Sequence, residues 1–495
     1  MPGIVRGIVQ RGANMDYRGK TALIIGAGIS GVAAYDLLLS AGANPILYDS
    51  NENLNITDVR NKTSEKEKAN VILGELPEVV RFSLDMVVLS PGVPTDTGLA
   101  QKLREQGLYV TGEIELAYTL AKGRLIAITG TNGKTTTTAL TGKIVGDYLD
   151  SLREKDARAG RAHVVGNIGI PYTSEAASIG DADVTVAEIS SFQLETIHEF
   201  HPNVSAILNI TPDHLNRHHT MEEYIRVKEE ITGNQTSEDF CVLNYEDEVL
   251  RAFGEKLGGK FVKNEEGLNN GGRKVTVRFF SSAQKVEDGC YYRDECIYLV
   301  RDGEEKKLMN IHEMKLLGLH NVENVMAAIL MADAIGVPME SILNSVREFK
   351  AVEHRIEYVA TVNGVEYYND SKGTNPDAAI KAVLAMKGPT VLIGGGYDKQ
   401  STYDEWIESF GTKVKALVLL GQTAKKIEEC ARAHGFNAIY QTESLEEAVL
   451  KCAELAAEGD AVLLSPACAS WGMFPNYEVR GQMFKELVRA LPNRE

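Results

Sequence analysis

The chain has 495 residues, more than a single hydrophobic core organises, and roughly two to four domains are expected. Its composition, 44% hydrophobic and 24% charged, excludes collagen-like, low-complexity and wholly disordered classes. Asp and Glu number 69 against 52 Lys and Arg, a formal charge of −17 that argues against nucleic acid as a partner but leaves room for phosphate in a local pocket of backbone N–H groups.

Residues 1–20 show neither the apolar core nor the cleavage site of a signal peptide, and residues 1–14 are expected to form an extension, with Met15 as an alternative start. No apolar run approaches the roughly 20 residues that span a bilayer. Six cysteines without a CxxC pair suit free thiols in a reducing compartment, so a cytoplasmic protein is expected.

From Thr21 onward strand-like runs alternate with helix-length segments, the pattern of parallel α/β sheets. TALIIGAG (21–28) reads as a strand, followed by a helix over Ile29–Ala41, the strand NPILYDS (44–50) and the strand and turn DMVVLSPGVP (85–94). RLIAITGTNGKTTTTAL (124–140) reads as strand, loop and helix, with further strands in DVTVAEIS (183–190) and NVSAILNIT (203–211). Residues 259–310, where VTVRFFSS and CIYLVRDGEEKKL alternate with Gly-Gly and Asp-Gly turns, predict an antiparallel hairpin insertion. A helix over Asn321–Ile335 follows. RIEYVATVNGVEYYND (355–370) predicts a hairpin turning at Asn363-Gly364, and TVLIGGG, VKALVLLG and DAVLLSPA predict three more strands.

GAGISG (26–31), after a strand and opening a helix, fits G-x-G-x-x-G, whose glycines admit a diphosphate to the backbone at a helix N-terminus. Three readings fit it: a nucleotide diphosphate, NAD with Asp49 on a ribose hydroxyl, or a turn kept for close packing alone. GTNGKTT (130–136) is more specific. Such a loop cradles polyphosphate, with Lys134 reaching the β/γ-phosphates and Thr135 or Thr136 placed for Mg2+, although it is shorter than G-x-x-x-x-G-K-[ST]. Glu188 and Asp213-His214 end neighbouring apolar strands, where open α/β sheets bind ligands, and together with the loop they favour magnesium ligation. His201, His218 and His219 lack zinc spacing and read as surface residues. Lys228, in TMEEYIRVKEEI, reads as a solvated lysine by composition. NDSKGTNP (369–376), GGGYDK (394–399) and SPACASWGMF (465–474) each leave an apolar strand, with Arg355 and Lys399 as candidate anion partners.

Taken in order, GTNGKTT, EISSFQLE (188–195), LNITPDHLNRH (208–218), GLHNVENVMAA (318–328), EHR, NDSKGTNP and LLSPACAS (463–470) resemble the Mur ligase family over nearly the whole chain, about residues 17–488. SSFQLE and SPACAS are similar to the member that adds D-glutamate rather than alanine or a diamino acid. The resemblance implies an α/β fold of three domains: an N-terminal Rossmann-like UDP-sugar domain (1–112), a central P-loop ATPase-like domain (113–351) and a C-terminal Rossmann-like amino-acid domain (352–495). It implies a UDP-sugar seat at Ile29, Ser30 and Gly31, with Asp49, Ser50 and Ser90-Pro91-Gly92 at the uracil end and Asn167 and His214 on the muramoyl part. Gly130, Thr131, Asn132, Gly133, Lys134, Thr135 and Thr136 would hold ATP, joined by Asn321, Asn324, Arg355 and Asp370. Two Mg2+ ions are implied, one at Thr135 and Glu188, the other at His214 and a carbamylated Lys228. Lys134, Glu188, His214 and Lys228 would carry catalysis. Thr374, Lys399, Ser470, Trp471 and Tyr477 would form the D-glutamate pocket, Trp471 standing where a Leu and Tyr477 where a Phe is common.

The implied activity is ATP-dependent addition of D-glutamate to UDP-N-acetylmuramoyl-L-alanine through an acyl phosphate, in cytoplasmic peptidoglycan precursor synthesis. The expected partners are small molecules alone, with no nucleic acid or membrane, and the chain is expected to be a monomer. Alternatives are another ligase of the same superfamily, such as a folylpolyglutamate synthase, and an NAD-dependent oxidoreductase built on GAGISG.

Overall fold

The computed structural model describes residues 15–167, 169–258 and 275–492. The chain divides into two compact units, Met1–Asn310 with Glu323–Val346, and Ile311–Val322 with Arg347–Glu495. The expected extension over residues 1–14 lies outside the described residues.

The first unit holds two sheets. Strands β1 (Thr21–Ile25), β2 (Asn44–Asp49), β3 (Val71–Leu73), β4 (Met86–Leu89) and β5 (Tyr109–Gly112) form an all-parallel sheet in the order β3-β2-β1-β4-β5. That order reverses between β1 and β4, the crevice where doubly wound sheets take nucleotides. Buried on both faces, β1 and β4 read as unbroken apolar runs, and Leu23, Ile24, Val87 and Val88 are wholly inaccessible.

The second sheet comprises β6 (Arg124–Thr129), β7 (Ala162–Gly166), β8 (Val184–Glu188), β9 (Val204–Ile207), β10 (Phe240–Asn244), β11 (Thr276–Ser281), β12 (Gly289–Arg293), β13 (Cys296–Arg301) and β14 (Glu304–Asn310). Its order is β14-β13-β12-β11-β10-β9-β6-β8-β7. The expected antiparallel insertion is corrected in part. β11 pairs parallel to β10 and β12 parallel to β11, so the central sheet continues through them, and only β12, β13 and β14 run antiparallel. The buried Phe280 and Ser281 seat β11 in the sheet, while Asp302-Gly303, both at positive φ, makes the tight turn between β13 and β14. The Gly-Gly turn at 271–272 lies outside the described residues.

Buried polar groups join the two sheets. Glu115 accepts backbone N–H bonds from His198, Glu199 and Phe200 at 3.0, 2.7 and 3.0 Å, and Thr111 Oγ1 donates to Thr196 O.

In the second unit, β15 (Glu357–Val362), β16 (Val365–Asn369), β17 (Thr390–Gly394), β18 (Val414–Leu419), β19 (Ile439–Gln441) and β20 (Ala461–Leu464) stand in the order β15-β16-β20-β17-β18-β19. β15 and β16 form the expected hairpin, with Asn363 and Gly364 both at positive φ, and the remaining pairs are parallel. The exits of β16, β20 and β17, adjacent in the sheet, carry the segments NDSKGTNP, SPACAS and GGGYDK. All six cysteines are free, and among the described residues no helix is long and apolar enough to cross a membrane.

Candidate active site

The loop at 130–136 leaves β6 and opens the helix Lys134–Arg153. Gly133 takes a left-handed φ of 86°, and a Cβ there would meet Asn324 Oδ1 at 2.5 Å, so neither its conformation nor its space admits a side chain. Asn324 Oδ1 also accepts from Thr137 Oγ1 at 3.2 Å. The loop is clamped to the exit of β9: Asn132 N donates to Asn209 Oδ1 at 2.8 Å, and Asn209 Nδ2 returns a bond to Asn132 O at 3.0 Å. Thr131 Oγ1 meets Tyr224 OH at 3.1 Å. Asn209 and Tyr224, which sequence reasoning left without a role, therefore hold the loop in shape. Thr135 is half-buried and Thr136 buried on the first turn of the helix.

Two lysines converge on one carbonyl. Lys134 Nζ lies 2.8 Å from Gly130 O and 2.9 Å from Thr131 O, and Lys228 Nζ lies 2.9 Å from Gly130 O and 3.4 Å from Thr129 Oγ1. The solvated reading of Lys228 is overturned: the residue is 1% exposed, with its amine 4.7 Å from the centre of the Tyr224 ring. Burial, reinforced by the charge of Lys134 and opposed by Asp213, holds that amine well below the usual lysine range. The helix Met221–Glu229 aims it inward, because Tyr224, Val227 and Lys228 form its buried face.

Glu188 ends β8 beside the exit of β6 and is 2% exposed. Its Oε1 accepts from Asn167 Nδ2 at 3.1 Å, while Asn167 N donates to Glu188 O at 2.8 Å, so two of the expected site residues hold each other. His214, left-handed at φ 54°, is exposed and packs edge-on against Phe192 at 4.9 Å. The surface reading fails for His218, which is 3% exposed, bonded through Nε2 to Ser191 Oγ at 2.9 Å and stacked on Phe192. Burial pushes its ring basicity down, against the raising effect of Glu195. His201 is half-buried on Asp239 at 2.6 Å, and His219 is exposed as expected.

At the crevice of the first sheet, Gly31 serves close packing: a Cβ there would meet Gly26 O at 1.8 Å. Gly28 has open space, Ile29 is 79% exposed, and Ser30 is half-buried at the start of the helix Ile29–Ser40. Asp49 accepts from Ala27 N and Asn51 N, both at 2.9 Å, which commits its carboxylate to shaping the turn, and Ser50 beside it is exposed. Ser90 Oγ donates to Gly26 O at 3.1 Å.

The Ser90-Pro91-Gly92 turn is tied to the second sheet by Arg217, which donates to Pro91 O at 3.0 Å, to Val93 O at 3.2 Å and to Glu195 at 2.7 Å, with its guanidinium 4.3 Å from the centre of the Phe192 ring. Beneath it a small cleft is lined by Ser90, Pro91, Thr95, Glu113, Phe192 and Gln193 among others. Gln193 closes a capping box with Ser190 and donates to the buried Glu113 at 2.6 Å. The S-x-x-Q spacing was the available signal for that cap. Nothing local marks Arg217 or Glu113.

In the second unit, Lys399 is exposed, with its amine 5.5 Å from the Trp471 ring, and the bridge between Tyr397 and Ala469 holds the two loops together, so Lys399, Ser470 and Trp471 are neighbours. Ser470 is buried and Trp471 54% exposed. Thr374 sits half-buried on the next loop, and Tyr477, at the start of the helix Tyr477–Arg489, accepts from Ser371 Oγ through its carbonyl at 2.8 Å. Arg480, which nothing in the sequence singled out, is 2% exposed and donates to Ser371 O at 2.7 Å and to Cys468 O, fixing both loops. Asp370 is buried and accepts from Ser465 Oγ at 2.7 Å; burial lifts its carboxyl to about 6 against the lowering charge of Arg355. Asn321 donates to Leu317 O at 2.7 Å.

A glycine-containing strand–loop–helix at the exit of β6, braced by the half-buried Lys134 and the buried Lys228, is the kind of loop that holds phosphate in nucleotide-dependent enzymes. The chain belongs to the Mur ligase family. The MurD-like N-terminal domain of Mur ligases matches residues 20–112, the Mur ligase middle domain 128–332 and the Mur ligase glutamate ligase domain 354–468. The UDP-N-acetylmuramoylalanine--D-glutamate ligase of Lachnospira eligens is 52% identical over 477 residues, 96% of this chain and 100% of that protein. The enzymes of the same name from Lachnoclostridium phytofermentans and Clostridioides difficile are 50% and 44% identical, over 96% of this chain and 99% and 100% of their own. Among solved structures, the UDP-N-acetylmuramate-alanine ligase MurC of Thermotoga maritima aligns with a TM-score of 0.55 at 19% identity, over 95% of this chain and 99% of that one. MurF of the same organism, in complex with ADP, gives 0.55 at 17% identity over 96% of both chains. These two likenesses show the shared fold.

Proposed function

We propose that this chain is an ATP-dependent ligase that joins D-glutamate to UDP-N-acetylmuramoyl-L-alanine in the cytoplasm, a step of peptidoglycan precursor synthesis. The observation that carries the reading is similarity along 96% of the chain to ligases of that name, at 42–52% identity. Residues 1–112 would take the UDP-sugar, 113–351 ATP and 352–495 the amino acid. The open face of the turn at Gly28, with Ile29, Ser30, Asp49, Ser50 and the Ser90–Gly92 turn, suits a diphosphate and its uridine. NAD is disfavoured because the Asp49 carboxylate is already engaged by two backbone N–H groups.

The loop from Gly130 to Thr136 holds the triphosphate, and Lys134, at its mouth, neutralises charge on the β- and γ-phosphates. Asn324 supports that loop, and Asn321, Arg355 and Asp370 keep the ATP-contact role the family assigns. With Lys134 in place, the alanyl carboxylate attacks the γ-phosphorus and ADP leaves. The amine of D-glutamate, oriented by Lys399, Thr374 and Ser470 beside Trp471 and Tyr477, then attacks the acyl phosphate, losing a proton as phosphate departs. Asn167 and His214 position the muramoyl end.

The Glu188 carboxylate, buried and fixed by Asn167, and the Thr135 hydroxyl are hard oxygen donors that suit Mg2+. For the second ion, assigned to His214 and Lys228, Lys228 would supply such an oxygen only as a carbamate, and its burial-depressed amine is the form that reacts with CO2. Two Mg2+ ions so held would screen the repulsion between carboxylate and triphosphate.

Phosphate release with ATP, Mg2+ and the alanyl-muramoyl nucleotide is expected to be fast with D-glutamate alone among common amino acids. Equal rates with L-glutamate or D-alanine would overturn the assignment of the second unit. The UDP-sugar is also expected to raise the melting temperature of the chain and NAD to leave it unchanged, since a ligand stabilises the state that binds it. A shift with NAD and none with the UDP-sugar would reverse the reading of the first sheet.

A further inference from the structure

Cys430 stands apart from the other thiols. Cys241, Cys290, Cys296, Cys452 and Cys468 are buried, whereas Cys430 is partly exposed. It lies on the helix Ala424–Ala433, four residues before His434 at the C-cap, so the two side chains leave the same face. The helix Asp404–Glu408 beside it carries two carboxylates at the same spacing, Asp404 and Glu408. One ligating atom from each of Asp404, Cys430 and His434 lies within 4.8 Å of the other two. His434 Nε2 is 3.0 Å from Asp404 Oδ1, and its Nδ1 is 3.6 Å from Glu408 Oε1. The His434 side chain is 27% exposed and that of Asp404 62%, so the cluster opens to solvent.

We propose that Asp404, Cys430 and His434 form a site for a thiophilic divalent cation of the Zn2+ class, with water as the fourth ligand and Glu408 beside the other ring nitrogen of His434. The donor types point to that class: a thiolate with an imidazole and a carboxylate suits zinc, whereas Mg2+ takes oxygen ligands. Zinc bonds to S, N and O place ligand atoms roughly 3.3–3.8 Å apart in a tetrahedron, and the three ligating atoms here lie within 4.8 Å of one another. Two pairs at i and i+4 on adjacent helices preset the arrangement. The site lies outside the groups assigned to the ligase reaction and does not rest on that reading. It has a structural consequence: the helix Asp404–Glu408 follows directly on the segment that carries Lys399, so a bound ion pins the end of that segment to the helix Ala424–Ala433.

The test uses the full chain freed of metal by chelation and then supplied with excess Mg2+. Titration with Co2+ is expected to give one equivalent of tight binding with a thiolate-to-cobalt charge-transfer absorption, bleached by Zn2+. Zn2+ is expected to raise the melting temperature by a few degrees. Both signals are expected to vanish in Cys430→Ser and His434→Ala, two changes outside the groups assigned to the ligase reaction that should leave phosphate release at its basal rate. Absence of the charge-transfer band in the native chain would overturn the proposal. So would a band or a thermal shift that persists in Cys430→Ser, which would place the ion elsewhere.

Discussion

Lys228→Ala is expected to lower ligase turnover by roughly 100- to 1,000-fold, the scale on which a pre-arranged electrostatic group is lost from an active site. The residue is buried, and its amine shares the Gly130 carbonyl with Lys134. An ammonium in that place would sit beside a second cation in a low-dielectric setting, and burial with the charge of Lys134 pushes the group towards the neutral amine. In the proposed modification the amine would add to CO2 and release one proton to give a carbamate, turning a buried base into a hard anionic ligand. Lys134 remains as a donor to Gly130 O in the variant, so the loop is expected to keep its shape. A short carboxylic acid entering the vacated space is expected to restore part of the rate in Lys228→Ala. The same acid should do nothing for Lys228→Arg, whose guanidinium stays charged and fills the space. Carbon-13-labelled bicarbonate is expected to give a carbamate resonance in the native chain that is missing from Lys228→Ala. Near-native turnover in the alanine variant would remove Lys228 from the site.

Glu113→Gln is expected to stabilise the chain at pH 8, by about 3 kcal/mol, and to matter little at pH 5. Glu113 is 3% exposed, one carboxylate oxygen accepts from Gln193 Nε2 at 2.6 Å, and the other is buried without a hydrogen-bond partner. Burial lifts its carboxyl from 4.5 to about 7, against the lowering effect of the Gln193 bond. The sign follows from proton counting. Between those two values the folded chain holds a proton that the unfolded chain has lost, so stability falls as pH rises through that window and levels off above about 7. Glutamine keeps the acceptor for Gln193, places its amide nitrogen at the unpartnered oxygen and carries no charge to desolvate. Urea unfolding of both chains across pH 5 to 8 measures the difference, and a gap that does not change with pH would show that the native carboxyl is ionised throughout.

Much of the candidate site was legible because it is local. The strand, loop and helix around GTNGKTT depend on contiguous residues, and the φ that Gly133 must adopt is written into the loop itself. The hairpin at Asn363-Gly364 and the apolar runs of β1, β4, β17, β18 and β20 were legible for the same reason: turn chemistry and two-sided burial leave marks in sequence. The three-residue strands β3 and β19 carry too short a pattern to be seen.

The sequence by itself therefore determined the α/β class, the strand, loop and helix of the candidate phosphate site, the strand exits beside it and, through ordered segments, the family. Only the tertiary structure decided which lysine is buried, which histidine is not on the surface and which strand partners which. Lys228 and His218 lie among charged or polar neighbours in the chain, and their burial comes from Thr129, Gly130, Tyr224, Ser191 and Phe192 packing around them. β11 looked like a hairpin strand until its neighbour proved to be β10, running the same way. Glu113 meets Gln193 across 80 residues of sequence, and Arg217 reaches Pro91 across 126. Burial, partner choice and charge environment are properties of the space around a side chain, and that space is filled by residues far away along the chain.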